Sequence, residues 1–353
     1  MLDPQVKEFY KDKIEKCAFY TPGVRLEVLR RGADAVFKDR HHVEDIAKWE
    51  DRLLSLTKVS IAQREKEYLK PEFAKYESFA AQIIEANVPD LKVRIFWPKT
   101  GGSPEAKRPV VLYFHGGGFV LHNIASHDDL TRKIANSWDA VVISAEYRLC
   151  PENSYPAYVQ DAWALLVWVQ SHADKLGIDP SKIILSGDSA GASISAAVSR
   201  LVAMLTPTAL ANSFDTATKP PIFEQVLFYG SYGSLSDDES ESMRLFGGGD
   251  YVLPKTMLDE FTGYTLPPGG VDPDDPFFYP GRGTLPKDMP RSIVVSAECD
   301  PLRDDGRVYA KALKAASCDV TYMEAAGMMH GFLLYWHRFA GAEKIIKEIS
   351  NIL

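Results

Sequence analysis

Short apolar runs recur along the chain from about residue 109, each followed by a loop with glycine or proline and then by a stretch with helical spacing. The runs are VVLYF at 110–114, AVVISA at 140–145, KIIL at 182–185, QVLFYG at 225–230 and SIVVSA at 292–297. Because they are almost continuously apolar, both faces of each strand should be covered by helices. The pattern therefore predicts a doubly wound α/β fold with a mostly parallel central sheet.

Helices are predicted between these strands where apolar residues recur at helical spacing. They cover about 126–137, 157–172, 190–205, 303–316 and 339–349. Upstream, YESFAAQIIEA and LKVRIFW flank the turn residues NVPD, and the second segment alternates apolar with charged residues. We expect the second segment to be an antiparallel edge strand, so that the sheet opens with a hairpin.

Two regions interrupt this rhythm. Residues 1–70 resemble charged amphipathic helices without a convincing strand, and residues 231–270 form an insertion rich in glycine, proline and acidic residues. Connections between neighbouring strands usually span only a few residues, so an insertion of this length should have a function. We predict that 1–70 and 231–275 form one helical cap over the strand ends, with the catalytic domain in 71–230 and 276–353.

The composition limits which classes of protein this chain can belong to. The chain has 353 residues, 46% hydrophobic and 25% charged, which suffices for a large buried core. Its net charge of −8 disfavours a nucleic-acid partner, because such binding depends on a basic surface.

The N-terminus carries charges every few residues and predicts no signal peptide. The longest strongly apolar stretch, AWALLVWV at 162–169, is far shorter than the ~20 residues of a membrane-spanning helix. We therefore expect a cytoplasmic protein without a stable membrane anchor. The cysteines have none of the spacings of a zinc site or a disulfide framework, and we expect all of them to be reduced: Cys17, Cys150, Cys299 and Cys318.

Ser189 lies in a motif that predicts a nucleophile. The segment GDSAG at 187–191 follows the apolar run KIIL and precedes an Ala- and Ser-rich helical stretch. This is G-x-S-x-G between a strand and a helix, where a strained turn presents the serine hydroxyl and leaves no space for a Cβ at either glycine. The alternative is a glycine-rich turn that only links strand to helix. A phosphate-binding loop is disfavoured because G-x-x-x-x-G-K-[ST] is absent.

A serine hydroxyl needs a base to become a good nucleophile. Of the eight histidines, His330 lies in a glycine-containing loop after a late strand candidate, DVTYMEAAGMMHGF. The others considered lie in the charged N-terminal segment or at helix ends and surfaces, where solvated histidines are common: His41, His42, His172 and His337.

The base in turn needs a carboxylate that holds its tautomer. Asp300 follows the strand SIVVSA directly, at the sheet edge where Ser189 should also lie. Asp304 and Asp305 are the next candidates, although charges at a helix N-terminus explain them better, and Glu298 is a weaker one. Cys299, beside the proposed acid, is interpreted as a small buried side chain.

The predicted order along the chain is Ser189, Asp300, His330, the order of nucleophile, acid and base described for α/β-hydrolases. The segment HGGGF follows the strand VVLYF and contains three consecutive glycines, Gly116 to Gly118. Bare backbone N–H groups in such a loop approach a substrate closely and can bind a developing oxyanion.

With these motifs in place, the sequence resembles the hormone-sensitive lipase family of α/β-hydrolases, also called family IV esterases. The resemblance runs from about residue 75 to the C-terminus and rests on HGGGF, YRLCPENSYPA, GDSAG, DPLRDDG and HGF in the order of the family. It implies an α/β-hydrolase fold with a helical cap, and ester hydrolysis that requires no metal or cofactor.

The resemblance also implies roles for single residues. Ser189 would be the nucleophile, Asp300 the acid and His330 the base. The oxyanion hole would consist of the backbone N–H groups of Gly117, Gly118 and Ala190.

Further residues are implied to support the site. His115 would brace the glycine loop without entering the chemistry, and Glu152 and Asp188 would be structural, with a tuning role for Asp188 left open. Cys150 and Ala192 depart from the usual family residues, but both are small and leave the triad intact.

The resulting hypothesis is a serine carboxylesterase that hydrolyses short- to medium-chain esters through an acyl-enzyme. Its expected partner is a small-molecule ester, and a homodimer is left open. The alternatives are a lipase or amidase that uses the same triad, or a non-catalytic receptor on the same fold. His330 argues against the receptor, since receptors related to this family have lost that histidine.

Overall fold

The computed structural model describes residues 2–9, 26–27, 30, 46–56, 67–99, 107–214, 222–236 and 239–353. Much of the predicted N-terminal part of the cap lies outside these residues, as do His41, His42 and Cys17.

The described residues form one eight-stranded sheet with the strand order β1-β2-β4-β3-β5-β6-β7-β8. Its strands are β1 Lys48–Leu54, β2 Leu91–Trp97, β3 Arg108–Phe114, β4 Val141–Ala145, β5 Ile178–Asp188, β6 Ile222–Phe228, β7 Arg291–Cys299 and β8 Val320–Met329. Strands β3 to β8 run parallel to one another, whereas β2 pairs antiparallel with both β1 and β4. The predicted fold class, α/β with a mostly parallel sheet, is confirmed.

Helices cover both faces of this sheet. They are α1 Glu77–Ile84, α2 Asp128–Trp138, α3 Ala157–Ser171, α4 Ala173–Leu176, α5 Ala190–Met204, α6 Pro207–Phe214, α7 Glu241–Phe246, α8 Lys255–Thr265, α9 Arg303–Ala315 and α10 Ala340–Ser350. Short 3₁₀ segments occupy Pro71–Tyr76, Ala125–His127 and Phe332–Tyr335.

Strand β3 shows why its apolar run is continuous. Val110 and Leu112 face the core beneath α3 and α5, whereas Val111 and Tyr113 face the core beneath α2 and α10. Successive side chains of a strand point to opposite faces, so a strand covered on both sides is apolar at every position.

The predicted opening hairpin is wrong. Residues 77–84 form helix α1 and not a strand. The edge position is taken by β1, which pairs antiparallel with β2 along its whole length, from Lys48 opposite Trp97 to Leu54 opposite Leu91. β2 is therefore the second strand of the sheet. The interpretation of 1–70 as helices without a strand is therefore wrong for 48–54. In β1 only Leu54 is buried. The strand is therefore stabilised by backbone pairing with β2, which lies far along the chain, and its own sequence has no apolar pattern that would predict a strand.

The insertion after β6 contains helices α7 and α8. Ser242 of α7 donates its backbone N–H to an Asp304 oxygen at 2.8 Å and its hydroxyl to the Pro301 carbonyl oxygen at 2.8 Å. These contacts place the start of the insertion over the carboxyl end of β7. The division of the chain into cap and catalytic domain stays a prediction.

We find no helix in the described parts of the chain with the length and apolar character needed to cross a bilayer.

Glu224 of β6 is a buried carboxylate whose negative charge is only weakly compensated by its neighbours. Within the ranges that the structure describes, neither of its oxygens has a hydrogen-bond partner, and the Arg291 guanidinium lies 3.8 Å away, at the limit of an ion pair. Burial raises the pKa of Glu224 to about 7, although Arg291 partly opposes the effect. The folded protein therefore binds a proton at Glu224 more tightly than the unfolded chain does.

We expect Glu224→Gln to stabilise the protein in a pH-dependent way. Because folding raises the pKa of Glu224, the native carboxyl is neutral and does not destabilise the fold below its unfolded pKa near 4.5. The free energy of unfolding then falls as the pH rises from that value through about 7, where the carboxyl loses its proton in the folded protein. The variant should gain on the order of 1 kcal/mol at pH 8 and nothing at pH 4, as measured by urea unfolding at both pH values. The exposed Glu72→Gln is the control; an equal gain at both pH values in Glu224→Gln would contradict the prediction.

Candidate active site

Ser189 lies at the sharp turn between β5 and α5. Its φ of 53° and ψ of −119° fall in a region that residues with a Cβ rarely adopt. Its backbone N–H donates to the Phe228 carbonyl oxygen at 2.8 Å, which ties the turn to the neighbouring strand β6. The side chain makes no capping hydrogen bond to α5, so its hydroxyl is left for other partners.

Gly187 and Gly191 flank this turn because there is no space for a side chain. A Cβ on Gly191 would lie 1.8 Å from the Phe114 carbonyl oxygen, and one on Gly187 would lie 2.4 Å from the same atom. The obstacle is the backbone at the end of β3, which no side-chain rotation relieves. The structure thus shows the crowding that the G-x-S-x-G motif predicted.

The structure brings Ser189, His330 and Asp300 into one hydrogen-bonded chain. The His330 Nε2 lies 2.9 Å from the Ser189 Oγ, and the His330 Nδ1 lies 2.7 Å from an Asp300 oxygen. The three residues directly follow β5, β8 and β7. Parallel neighbouring strands end at one edge of a sheet, so residues up to 141 positions apart in the sequence meet there.

The surroundings of His330 fix the roles of its two ring nitrogens. Asp300 is fully buried, and its other oxygen accepts the Leu302 backbone N–H at 2.9 Å, so the carboxylate is held in place. A carboxylate only accepts hydrogen bonds, so the His330 Nδ1 carries the proton and Nε2 is free to accept from the serine hydroxyl. The Tyr229 ring meets the imidazole edge-on, with 5.0 Å between centroids.

The alternative acids have other partners. Asp305 accepts four backbone N–H groups from residues 232–235, at 2.5 to 3.1 Å, and so orders the start of the insertion. Asp304 accepts the Ser242 backbone N–H, and Glu298 accepts a backbone N–H at 2.7 Å. The structure therefore assigns these three carboxylates contacts with the backbone and leaves Asp300 at the imidazole.

Two of the remaining histidines lie apart from the hydrogen-bonded residues Ser189, His330 and Asp300. His172 stacks on Trp168, with ring centroids 4.2 Å apart. His337 lies beside Asp129, 3.7 Å from one of its oxygens.

The glycine loop after β3 turns back on itself next to the nucleophile strand. The Gly117 carbonyl oxygen accepts the backbone N–H groups of Val120 and Leu121 at 3.0 and 2.8 Å. Gly117 and Gly118 have φ values of 120° and 61°, which favour glycine. In the described part of the chain, no protein acceptor binds the backbone N–H of Gly117, Gly118 or Ala190.

Asp188 joins the nucleophile turn to the glycine loop. One of its oxygens accepts the Tyr113 hydroxyl at 2.8 Å and the Gly116 backbone N–H at 3.0 Å, and the His127 Nε2 lies 3.2 Å from it. Burial alone would raise the pKa of Asp188, but His127 and the Tyr113 hydrogen bond outweigh that effect and hold it at about 2. Asp188 is therefore a buried anion that fixes the loop beside Ser189.

His115 braces the same loop from behind. Its Nδ1 lies 2.8 Å from the Gly116 carbonyl oxygen, and its ring stacks on Tyr147 with 4.3 Å between centroids. Burial, together with nearby His127, lowers the pKa of His115 to about 3, so this imidazole is neutral at physiological pH.

Arg30 is a supporting residue that the sequence did not reveal. It donates to both Glu152 oxygens at 2.8 Å, to the Cys150 carbonyl oxygen at 2.7 Å and to the Val120 carbonyl oxygen at 3.0 Å. A residue from the N-terminal region thus connects the glycine loop to the RLCPE segment. Nothing in the local sequence distinguishes Arg30 from the other charges around it.

Among the residues that the structure describes, no group of three or more His, Cys, Asp or Glu side chains is arranged to hold a metal ion. Cys150, Cys299 and Cys318 are free thiols, and the first two are buried.

Comparison with known proteins identifies the family. A family model of the α/β-hydrolase fold matches residues 111–334 of this sequence. Esterase LipI of Mycobacterium tuberculosis is 35% identical over 270 residues, which cover 76% of this chain and 78% of the relative. Carboxylesterase NlhH of the same organism is 35% identical over 249 residues, which cover 69% of this chain and 72% of the relative.

Solved structures agree with these relatives. The esterase of the archaeon Pyrobaculum calidifontis superposes with a TM-score of 0.78 at 25% identity, covering 99% of this chain and 97% of that one. The carboxylesterase EstE1, cloned from a metagenomic library, gives a TM-score of 0.74 at 28% identity, covering 94% and 97%. The fold is thus that of an α/β-hydrolase. Within that fold family, the chain belongs to the hormone-sensitive lipase-like family IV esterases, as its motifs predicted.

We expect Gly191→Ala to lower the free energy of unfolding by about 1–3 kcal/mol or more, because the new Cβ would overlap the Phe114 carbonyl oxygen. Gly263→Ala is the matched control, since Gly263 lies in α8 with nothing within 4 Å of its Cβ position, and it should be neutral or slightly stabilising. Thermal unfolding followed by circular dichroism measures both. Equal melting temperatures for the two variants would show that the turn is not crowded.

Proposed function

We propose that this protein is a serine carboxylesterase that hydrolyses short- to medium-chain carboxylic esters through an acyl-enzyme, with Ser189 as nucleophile, His330 as base and Asp300 as acid. The hydrogen-bonded chain from Ser189 through His330 to Asp300 is the observation that carries this proposal. The enzyme class, a carboxylic ester hydrolase, is confirmed by the relatives named esterase and carboxylesterase.

Acylation begins when the His330 Nε2 removes the proton of the Ser189 hydroxyl as Oγ attacks the ester carbonyl carbon. The carbon–oxygen double bond opens, and the oxygen becomes an oxyanion that accepts hydrogen bonds from Gly117, Gly118 and Ala190. The tetrahedral intermediate then collapses and the bond to the alkoxy group breaks. Protonated His330 delivers its proton to the departing alcohol, which leaves an ester on Ser189.

Deacylation repeats these steps with water. His330 removes a proton from a water molecule whose oxygen attacks the acyl carbon, and the same N–H groups bind the second oxyanion. Collapse breaks the bond to the Ser189 Oγ, which recovers the proton from His330. The free acid leaves and the enzyme returns to its initial state.

The site favours the charges that form along this path. Each preorganised N–H donor lowers the barrier by roughly 2.7–4 kcal/mol when it meets the oxyanion. The N-terminus of α5 directly follows Ser189 and adds a positive partial charge there. The buried Asp300 carboxylate stabilises the imidazolium that forms when His330 takes the proton.

The alternatives from the sequence are not favoured. A non-catalytic receptor does not need a serine, an imidazole and a carboxylate hydrogen-bonded in series, whereas an esterase does. No contact in the described residues favours an amidase or an interfacial lipase over an esterase. The cap, a cytoplasmic location and a homodimer stay predictions.

Turnover of p-nitrophenyl esters from acetate to palmitate tests the function. We expect the highest kcat/KM at short to medium chains, and Ser189→Ala should reduce kcat by at least about 10⁴-fold because no other hydroxyl replaces the nucleophile. Ser193→Ala, one turn further along α5, is the matched control and should keep activity. Turnover that rises only above micelle formation would indicate a lipase, and no turnover with any ester would overturn the proposal.

The identity of the acid is tested separately. We expect Asp300→Asn to lower kcat by about 10⁴-fold, because an amide does not stabilise the imidazolium or hold its tautomer. Asp304→Asn removes the runner-up carboxylate, whose contacts are with Arg303 and the backbone, and should retain kcat within about tenfold. The reverse result in steady-state kinetics would transfer the role of the acid to Asp304.

A further inference from the structure

Phe261 of helix α8 lies directly against the glycine loop. A Cβ on Gly118 would lie 2.2 Å from Cδ2 of the Phe261 ring and 2.6 Å from its Cγ. The ring is therefore in van der Waals contact with the backbone whose N–H is proposed to bind the oxyanion. No other side chain within 4 Å is nearer to this Cβ position.

This ring is held firmly in place. Phe261 is 6% exposed and belongs to the core cluster that contains Tyr158. Both ends of α8 are tied to other segments, since the Lys255 N–H donates to the Gly247 carbonyl oxygen at 2.9 Å and the Thr265 carbonyl oxygen accepts the Tyr155 N–H at 3.0 Å.

The core cluster that contains Phe261 is rich in aromatic and apolar side chains. Phe119, the residue after Gly118, stacks on Tyr158 with ring centroids 4.4 Å apart. Tyr155 meets the Phe278 ring edge-on at 5.0 Å. An apolar wall of this kind suits a hydrocarbon group and disfavours a charged or strongly polar one.

Substrate geometry makes the contact with Gly118 consequential. The carbonyl carbon must bond to the Ser189 Oγ while its oxygen reaches the Gly117 and Gly118 N–H groups. The acyl chain is attached to that same carbon, so its first methylenes lie within a few bond lengths of the loop. A ring packed on Gly118 therefore bounds the space that the chain can enter.

We infer that Phe261 is a specificity-determining residue that limits the acyl-chain length of the substrate, so that esters of short, apolar acids are preferred. This inference rests on the proposed function and names the substrate class of the same site.

The experiment measures kcat/KM for p-nitrophenyl acetate, butyrate, hexanoate and octanoate with the wild type, Phe261→Leu and Phe261→Ala. The octanoate-to-acetate ratio should rise at least about tenfold in Phe261→Ala and by an intermediate factor in Phe261→Leu, because each makes room for further methylenes. Phe246→Ala is the control. It removes the same ring from helix α7 of the same insertion, where Phe246 packs on Tyr251, and should leave the ratio unchanged.

The results separate the possible failures. A uniform loss across all four esters, with an unchanged ratio in Phe261→Leu, would show that the ring only supports the loop and would overturn the inference. A changed preference among acetate esters of methanol, butanol and hexanol, without a change in the acyl series, would overturn the assignment to the acyl side. A wild type inactive on every ester would overturn the proposed function and this inference with it.

Discussion

The contact between the end of β3 and the turn after β5 is the constraint on which the site depends. The Phe114 carbonyl oxygen lies so close to Gly187 and Gly191 that neither tolerates a Cβ. This approach bends the chain sharply enough to hold Ser189 at a φ of 53°. It also brings the glycine loop that follows β3 next to Ser189, so one packing contact sets the relative position of the Ser189 Oγ and the proposed oxyanion donors.

A buried charge fixes the same contact. Asp188 precedes the nucleophile and binds Gly116 and Tyr113 of the β3 segment, and its pKa stays at about 2 because His127 lies beside it. An unpaired carboxylate at this depth would be protonated or would destabilise the fold. Paired as it is, Asp188 links the turn at Ser189 to the glycine loop and holds the two segments in a fixed relative position. Its role is therefore best described as positioning.

Two residues from outside the parallel sheet contact the glycine loop that follows β3. Phe261 comes from the insertion and Arg30 from the N-terminal region, and both contact the segment from Gly118 to Val120. The glycine loop is thus enclosed by parts of the chain that lie outside the parallel sheet. Under the proposed function, substrate preference can change through these contacts while the hydrogen-bonded chain at Ser189 stays intact.

The sequence by itself determined the parallel sheet, most of its helices and the family, and it selected Ser189, Asp300 and His330 as the proposed triad that the structure brings together. These depend on local patterns: apolar runs, glycines at a tight turn and polar residues at strand ends. Only the tertiary structure decided the edge strand β1, the contacts of Asp305 and Arg30, and the position of Phe261 on Gly118. Each of these depends on a partner distant in the sequence. Backbone pairing and close packing between such partners leave no periodic signal in either segment, so the fold must form before they can be identified.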